Sequence, residues 1–333
     1  MEEEPPNPIR ITLPAVEAAD SRMLDLVAAD AYPELLWTGA EWTEGPVWLG
    51  PGECGGLLFS DIPNNRLLRW RETDVDVVLA PSDFMNGHTL DLEGRVVCCE
   101  HGGRRISRID PDGGVRMVVD RYRDNRLNSP NDVIVKSDGT IWFSDPPYGI
   151  VSDREGRRAE SELRRNYVFR FDPRTGELEI ASDFLDEPNG LAFSPDELIL
   201  YVSDTSAARR PDGNHHIAAF DVVNERRLAN PRVLAVMEPG LADGFRVDEQ
   251  GNLFSSAGDG IHVLTAQGDT LGLIRLPEIV SNCEFGGPDG RDLFVTATTS
   301  LYRIRTRTRG AVVPPPVGAF PDNLHRAGVV EPW

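Results

Sequence analysis

"NDVIVKSDGTIWFSD", residues 131–145, reads as two short apolar strands joined by a tight turn. Val133 to Val135 form the first run, and Ile141 to Phe143 the second. Between them Asp138 and Gly139 supply the residues that hairpin turns favour. A polar pair, Asn131-Asp132, leads the first strand. The same unit recurs as EGPVWLGPGECGGLLFSD (44–61), NGHTLDLEGRVVCCE (86–100) and NGLAFSPDELILYVSD (189–204). DGFRVDEQGNLFSSA (243–257) and NCEFGGPDGRDLFVTA (282–297) complete a set of six.

Third strands follow, as in RLLRW (66–70), RISRID (105–110), YVFRFD (167–172) and HIAAFD (216–221), with IHVL (261–264) and LYRI (301–304). Fourth strands are visible in VDVVLA (75–80), VRMVVD (115–120) and ELEIAS (177–182). The leading residues recur at steps of 39 to 58 positions. Four strands per unit, six times, predicts an all-β, six-bladed β-propeller with four-stranded antiparallel blades around a central channel. The ring is expected over residues 35–310, closed by LLWTGAEW (35–42) or by the C-terminal segment. Residues 1–34 form an N-terminal extension in which LDLVAADAYPELL (24–36) suggests a short helix on one rim. Residues 311–333 form a tail packed on the propeller or extended over it.

Composition agrees with this architecture. Thirty-one Gly and 26 Pro in 333 residues favour many short strands and turns over long helices. A formal charge of −20 opposes binding to nucleic acid or to anionic membranes and suits either solubility or cation binding. Cys54, Cys98, Cys99 and Cys283 show no disulfide or CxxC pattern, so buried free thiols in a reducing compartment are expected. MEEEPPNPIR has no basic, apolar leader pattern, and no apolar run reaches membrane-span length, which predicts a cytoplasmic location. No obligate protein partner is inferred.

In a propeller the first strand of each blade lines the channel, so Glu44, Asn86, Asn131, Asn189, Asp243 and Asn282 are expected to ring its mouth. Any one Asn-Gly or Asp-Gly reads as a turn; six in phase, each ending in a side-chain oxygen, read as a site. Two carboxylates and four amides suit a hard cation such as Ca2+, whereas zinc would call for His or Cys. Asp132 has no counterpart in the other units and reads as a turn residue.

The motifs EGPVW (44–48), SPND (129–132), EPNG (187–190) and ADG (242–244) together resemble the senescence-marker-protein/gluconolactonase family of calcium-dependent propellers. NSPNDVIVKSDGTIWFSDPPYGI (128–150) and CEHGGRRISR (99–108) look most like its bacterial gluconolactonase branch. The resemblance implies that Glu44, Asn131, Asn189 and Asp243 hold the metal. It implies a lactonase that opens a small sugar lactone of the glucono-1,5-lactone type, with Asp243 activating water or attacking directly. The family also holds an organophosphate-fluoridase, so phosphotriester or fluorophosphate hydrolysis at the same metal is an alternative, as is a non-catalytic calcium-binding propeller. Ser129 stands where animal members carry a sugar-binding arginine, and His88 stands where a small or apolar residue is expected.

Asn86 and Asn282, the ring positions outside the metal set, are assigned to substrate binding with His88, His101 and Tyr148. His101 ends a second strand, where substrate contact and a bond to a loop carbonyl are both open. Tyr148 either rims the pocket or packs a loop. Asp61, Asp145 and Asp204 end second strands away from the axis and are expected to accept hydrogen bonds from nearby turn amides. No GxSxG nucleophile motif is present, which disfavours Ser-His-Asp chemistry.

Overall fold

A computed structural model of the chain describes residues 9–10, 15–51, 55–311, 320–321 and 324–326. Six of its seven sheets are the blades of a six-bladed propeller, the seventh being the two-stranded hairpin of Arg121–Tyr122 and Asn125–Arg126. Their first strands are Thr43–Trp48, Met85–Leu90, Val133–Val135, Pro188–Phe193, Phe245–Val247 and Val280–Gly286, in blades 1 to 6. Glu34–Thr38 closes the ring from the N-terminal side as the fourth strand of blade 6, paired antiparallel with Ser300–Arg305.

The continuous apolar runs of the second strands follow from burial on both faces. Successive side chains point to opposite sides. Val96 and Cys98 therefore face blade 1, while Val97 and Cys99 face blade 3. Likewise Ile141 and Phe143 pack toward blade 2 and Trp142 toward blade 4. The buried apolar residues fall into six clusters, one at each blade interface. Each fully buried Leu, Val or Phe in them contributes roughly 1.5–3 kcal/mol. Cys98, Cys99 and Cys283 are buried free thiols, and burial raises all three, Cys283 to about 12, so they stay protonated. Cys54 lies outside the described residues.

The extension before residue 35 is stitched to the ring. Val16–Ala18 adds a fifth strand to blade 5, and Ile9–Arg10 adds one to blade 6. The expected rim helix is a single turn, Met23–Leu26, whose Met23 and Leu26 are buried in the cluster between blades 5 and 6. Most of the tail stretch 312–321 lies outside the described residues, but Phe320 is buried between blades 1 and 2. His325–Arg326 then pairs parallel with the outer strand of blade 2. No helix among the described residues is long and apolar enough to cross a membrane.

Candidate functional site

The six leading residues form a ring because each blade bonds to the next at this level. Gly87 N–H donates to Asn131 O at 2.9 Å, Gly190 N–H to Asp243 O at 3.1 Å, and Gly244 N–H to Ser281 O at 2.7 Å. Asn282 Nδ2 closes the circle on Glu44 Oε2 at 3.2 Å. This approach explains the glycine that follows four of the leaders. A Cβ on Gly45 would sit 1.9 Å from Asn86 O, and one on Gly190 2.3 Å from Asp243 O. The Asn-Gly and Asp-Gly pairs are close-packing devices between blades, not turns.

The repeated Ser-Asp at the ends of second strands supports the same ring. Ser60 Oγ donates to Asn86 O at 3.1 Å and Ser203 Oγ to Asp243 O at 2.8 Å, each reaching the next blade's leader. Asp145 accepts the N–H groups of Asn128 and Ser129 at 2.8 and 2.9 Å. Asp204 accepts those of Asp186 and Glu187 at 2.7 and 3.3 Å, and Asp61 that of Glu41 at 3.1 Å. Each carboxylate thus anchors the backbone just ahead of its own blade's leader, as expected of a residue bonding loop amides.

Asp132 corrects its sequence reading. It occupies the place of the glycine in the other motifs, yet it is buried in the channel wall. Its Oδ1 accepts Val133 N–H at 2.9 Å, and its Oδ2 lies 3.7 Å from Arg246 Nη1. It is an interior charge partner, a role that needs an arginine two blades away and leaves no local signal.

The electrostatics of the mouth are those of an uncompensated acidic pair. Burial, and then the charge of Asp243, push the Glu44 carboxyl well above the carboxylate range, although Gly45 N–H donates to its Oε2 at 2.6 Å. Burial raises Asp243 to about 7, opposed by the Asn189 amide beside it. Among the described residues, no group of three or more His, Cys, Asp or Glu has metal-holding geometry. The set here is of another kind, two carboxylates with neutral amides. It fits a hard divalent cation, whose charge would reverse both shifts.

The remaining predicted residues divide by what they touch. Asn282 spends its amide inside the ring, with Nδ2 on Glu44 and Oδ1 accepting Cys283 N–H at 2.9 Å. His88 Nδ1 donates to Gly45 O at 2.7 Å, and its buried Nε2 has no partner among the described residues. His101 uses both ring nitrogens. Because the Glu155 carbonyl can only accept, Nδ1 carries the proton, donated at 3.0 Å, and Nε2 accepts Asn86 Nδ2–H at 3.1 Å. Of the two readings open for His101, the loop carbonyl bond is present. Tyr148 lies on the short helix Tyr148–Val151, with its hydroxyl 2.6 Å from Thr205 Oγ1. Ser129 Oγ donates to Pro146 O at 2.7 Å and accepts Gly149 N–H at 2.9 Å, so it ties down a loop. Thr205, which accepts Asn189 Nδ2–H at 3.0 Å, was missed by sequence reasoning because nothing near it in the chain marks it.

Fold and mouth together define a six-bladed propeller with an oxygen-donor ring at one end of its axis. The family profile described as the SMP-30/Gluconolactonase/LRE-like region matches residues 42–299, and the chain belongs to that family. It is 35% identical over 311 residues to a gluconolactonase of Zymomonas mobilis, covering 87% of this chain and 86% of the relative. It is 31% identical to the pentonolactonase XacC of Haloferax volcanii, covering 78% of this chain and 82% of the relative. The structure of XC5397, a gluconolactonase of Xanthomonas campestris, superposes with a TM-score of 0.84 at 38% identity, covering 92% of this chain and 99% of that one.

Proposed function

We propose that this protein is a calcium-dependent lactonase that hydrolyses small sugar lactones of the glucono-1,5-lactone type. The observation that carries the reading is the ring of oxygen donors with two carboxylates, the buried Glu44 and the half-buried Asp243, both raised by desolvation and without a cationic side chain to compensate them. The gluconolactonase and pentonolactonase relatives support the reaction class. In this reading Glu44, Asn131, Asn189 and Asp243 hold the cation. When bound, Ca2+ supplies Lewis acidity toward a carbonyl oxygen.

The protein's own groups do the rest. Asn282 orients the Glu44 carboxylate through its Nδ2. The partly exposed Asp243 carboxylate takes a proton from a water as the water's oxygen bonds to the lactone carbonyl carbon. The ring C–O bond then breaks, and the proton passes to the leaving alkoxide, giving the open hydroxy acid. Asn86 and His88 are the residues proposed to meet the sugar hydroxyls. Of the two candidate histidines, only His88 has a ring nitrogen to spare.

The test is acid release from glucono-1,5-lactone in a pH-stat, measured above the spontaneous rate. Chelator is expected to abolish the enzymatic component and added Ca2+ to restore it. Full activity in the presence of chelator would overturn the mechanism.

A further inference from the structure

We propose that residues 146–157, which follow the second strand of blade 3, are the positioning element of the mouth. By holding Thr205 and His101 they fix the acceptors of the NH2 groups of two amides, Asn189 and Asn86, and leave each carbonyl oxygen as the free end. The inference rests on the calcium-dependent reading above and deepens it.

The segment starts from Ser129, whose hydroxyl holds Pro146 O and Gly149 N–H. From there it sends out two arms. In one, Tyr148 OH meets Thr205 Oγ1 at 2.6 Å, and the same Thr205 oxygen accepts Asn189 Nδ2–H at 3.0 Å. Thr205 is itself buried, with its N–H on Glu187 O at 3.1 Å. In the other arm, Glu155 O accepts His101 Nδ1–H at 3.0 Å, which leaves Nε2 as the acceptor for Asn86 Nδ2–H at 3.1 Å. Neither amide oxygen has a hydrogen-bond partner among the described residues.

The segment is held across blade 2 at several points. Arg157 donates to Gly102 O at 2.7 Å and pairs with Asp83 at 2.5 Å, and Arg154 reaches Glu41, ahead of blade 1, at 3.0 Å. Its glycine at 149 lies so close to the histidine that a Cβ there would be 2.5 Å from His101 Cβ. His101 is therefore clamped between Asn86, the Glu155 carbonyl and the backbone of the segment.

The physical reason concerns the two ends of an amide. An asparagine free to turn presents its NH2 group to a cation or a hydroxyl hydrogen as readily as its oxygen, and the wrong orientation is repulsive. A fixed acceptor for the NH2 group removes that orientation and the entropy lost in choosing the right one. The Thr205 arm acts on a proposed cation ligand and the His101 arm on a proposed substrate contact, so the two arms have separable readouts.

The experiment is calcium titration calorimetry together with lactone kinetics at saturating calcium. Thr205→Val, which keeps shape and loses the acceptor, is expected to weaken calcium binding by about tenfold, with Thr205→Ser restoring it. Tyr148→Phe is expected to shift affinity in the same direction by a smaller factor. His101→Phe is expected to raise the lactone KM by about tenfold while calcium affinity stays within about twofold, and His101→Gln, which keeps an acceptor, to recover part of the loss. Should Thr205→Val not fold, Tyr148→Phe with its calcium titration carries that arm. Wild-type calcium binding that Thr205→Val and Tyr148→Phe leave unchanged overturns this proposal alone. Absence of calcium binding by the wild type overturns the functional reading and this proposal with it.

Discussion

The two ends of the channel are built from the same six strands and treat charge in opposite ways. At the end bearing the leading residues, Glu44 and Asp243 face each other with amides around them, and burial raises both. Along the channel toward its other end, Arg246 donates to Glu284 Oε2 at 2.7 Å and lies 3.7 Å from Asp132, whose charge also helps to raise Glu44 and Asp243. Burial alone would lower the Arg246 guanidinium, but Glu284 and Asp132 outweigh it and hold it further up. Above this pair a cavity of about 510 Å³ is lined by Trp48, Ile134, Phe193 and Phe285 among others. One end settles its buried charges internally. The other leaves two carboxylates to be compensated by something added. An interior that is compensated contributes to the fold, and one that is not is a place for a ligand.

The sharpest way to break this contrast is to remove one charge at each end. Asp243→Asn is expected to lower lactone turnover by about 10²–10⁴-fold. With chelator present it should raise the midpoint of thermal unfolding, because it relieves a buried repulsion; a lowered midpoint would contradict the contrast. Arg246→Met is expected to do the reverse. It strands Glu284 and Asp132 without their cation and should cost about 3–5 kcal/mol in urea denaturation.

A more gradual effect, spread over pH, is expected on acidification. Burial lowers both His88 and His101 to about 4, below the ordinary value near 6.5. A group whose folded pKa is depressed in this way is neutral when folded and charged when unfolded across that interval. The unfolded state then binds more protons, so each histidine removes stability as pH falls from about 6.5 toward 4, by about 1.4 kcal/mol per pH unit. Denaturation midpoints at a series of pH values check this, and His88→Phe should lose its share of the slope.

Several features of the site were legible in the chain because they recur in it. The phase of the repeat puts Glu44, Asn131, Asn189 and Asp243 each at or just ahead of the start of a strand that lines the channel. At that level Gly87 bonds to Asn131 O, Gly190 to Asp243 O and Asn282 to Glu44, while their service as cation ligands belongs to the proposal above. Asp61, Asp145 and Asp204 were readable for the same reason. Asp132 was not, because its partner Arg246 belongs to blade 5 and no local pattern connects them. Thr205 was equally silent, being defined by Asn189 on one side and Tyr148 on the other.

By itself, then, the sequence determined the number of blades, the strands within them and the residues at the head of each. Those are matters of period, turn chemistry and alternation, which act over a few residues and repeat. Only the tertiary structure decided which strand closes the ring, that the glycines after the leaders make room for the neighbouring blade, and which way the Asn86 and Asn189 amides are tied. Those depend on groups that meet across blade boundaries, where distance in space is short and distance in the chain is not.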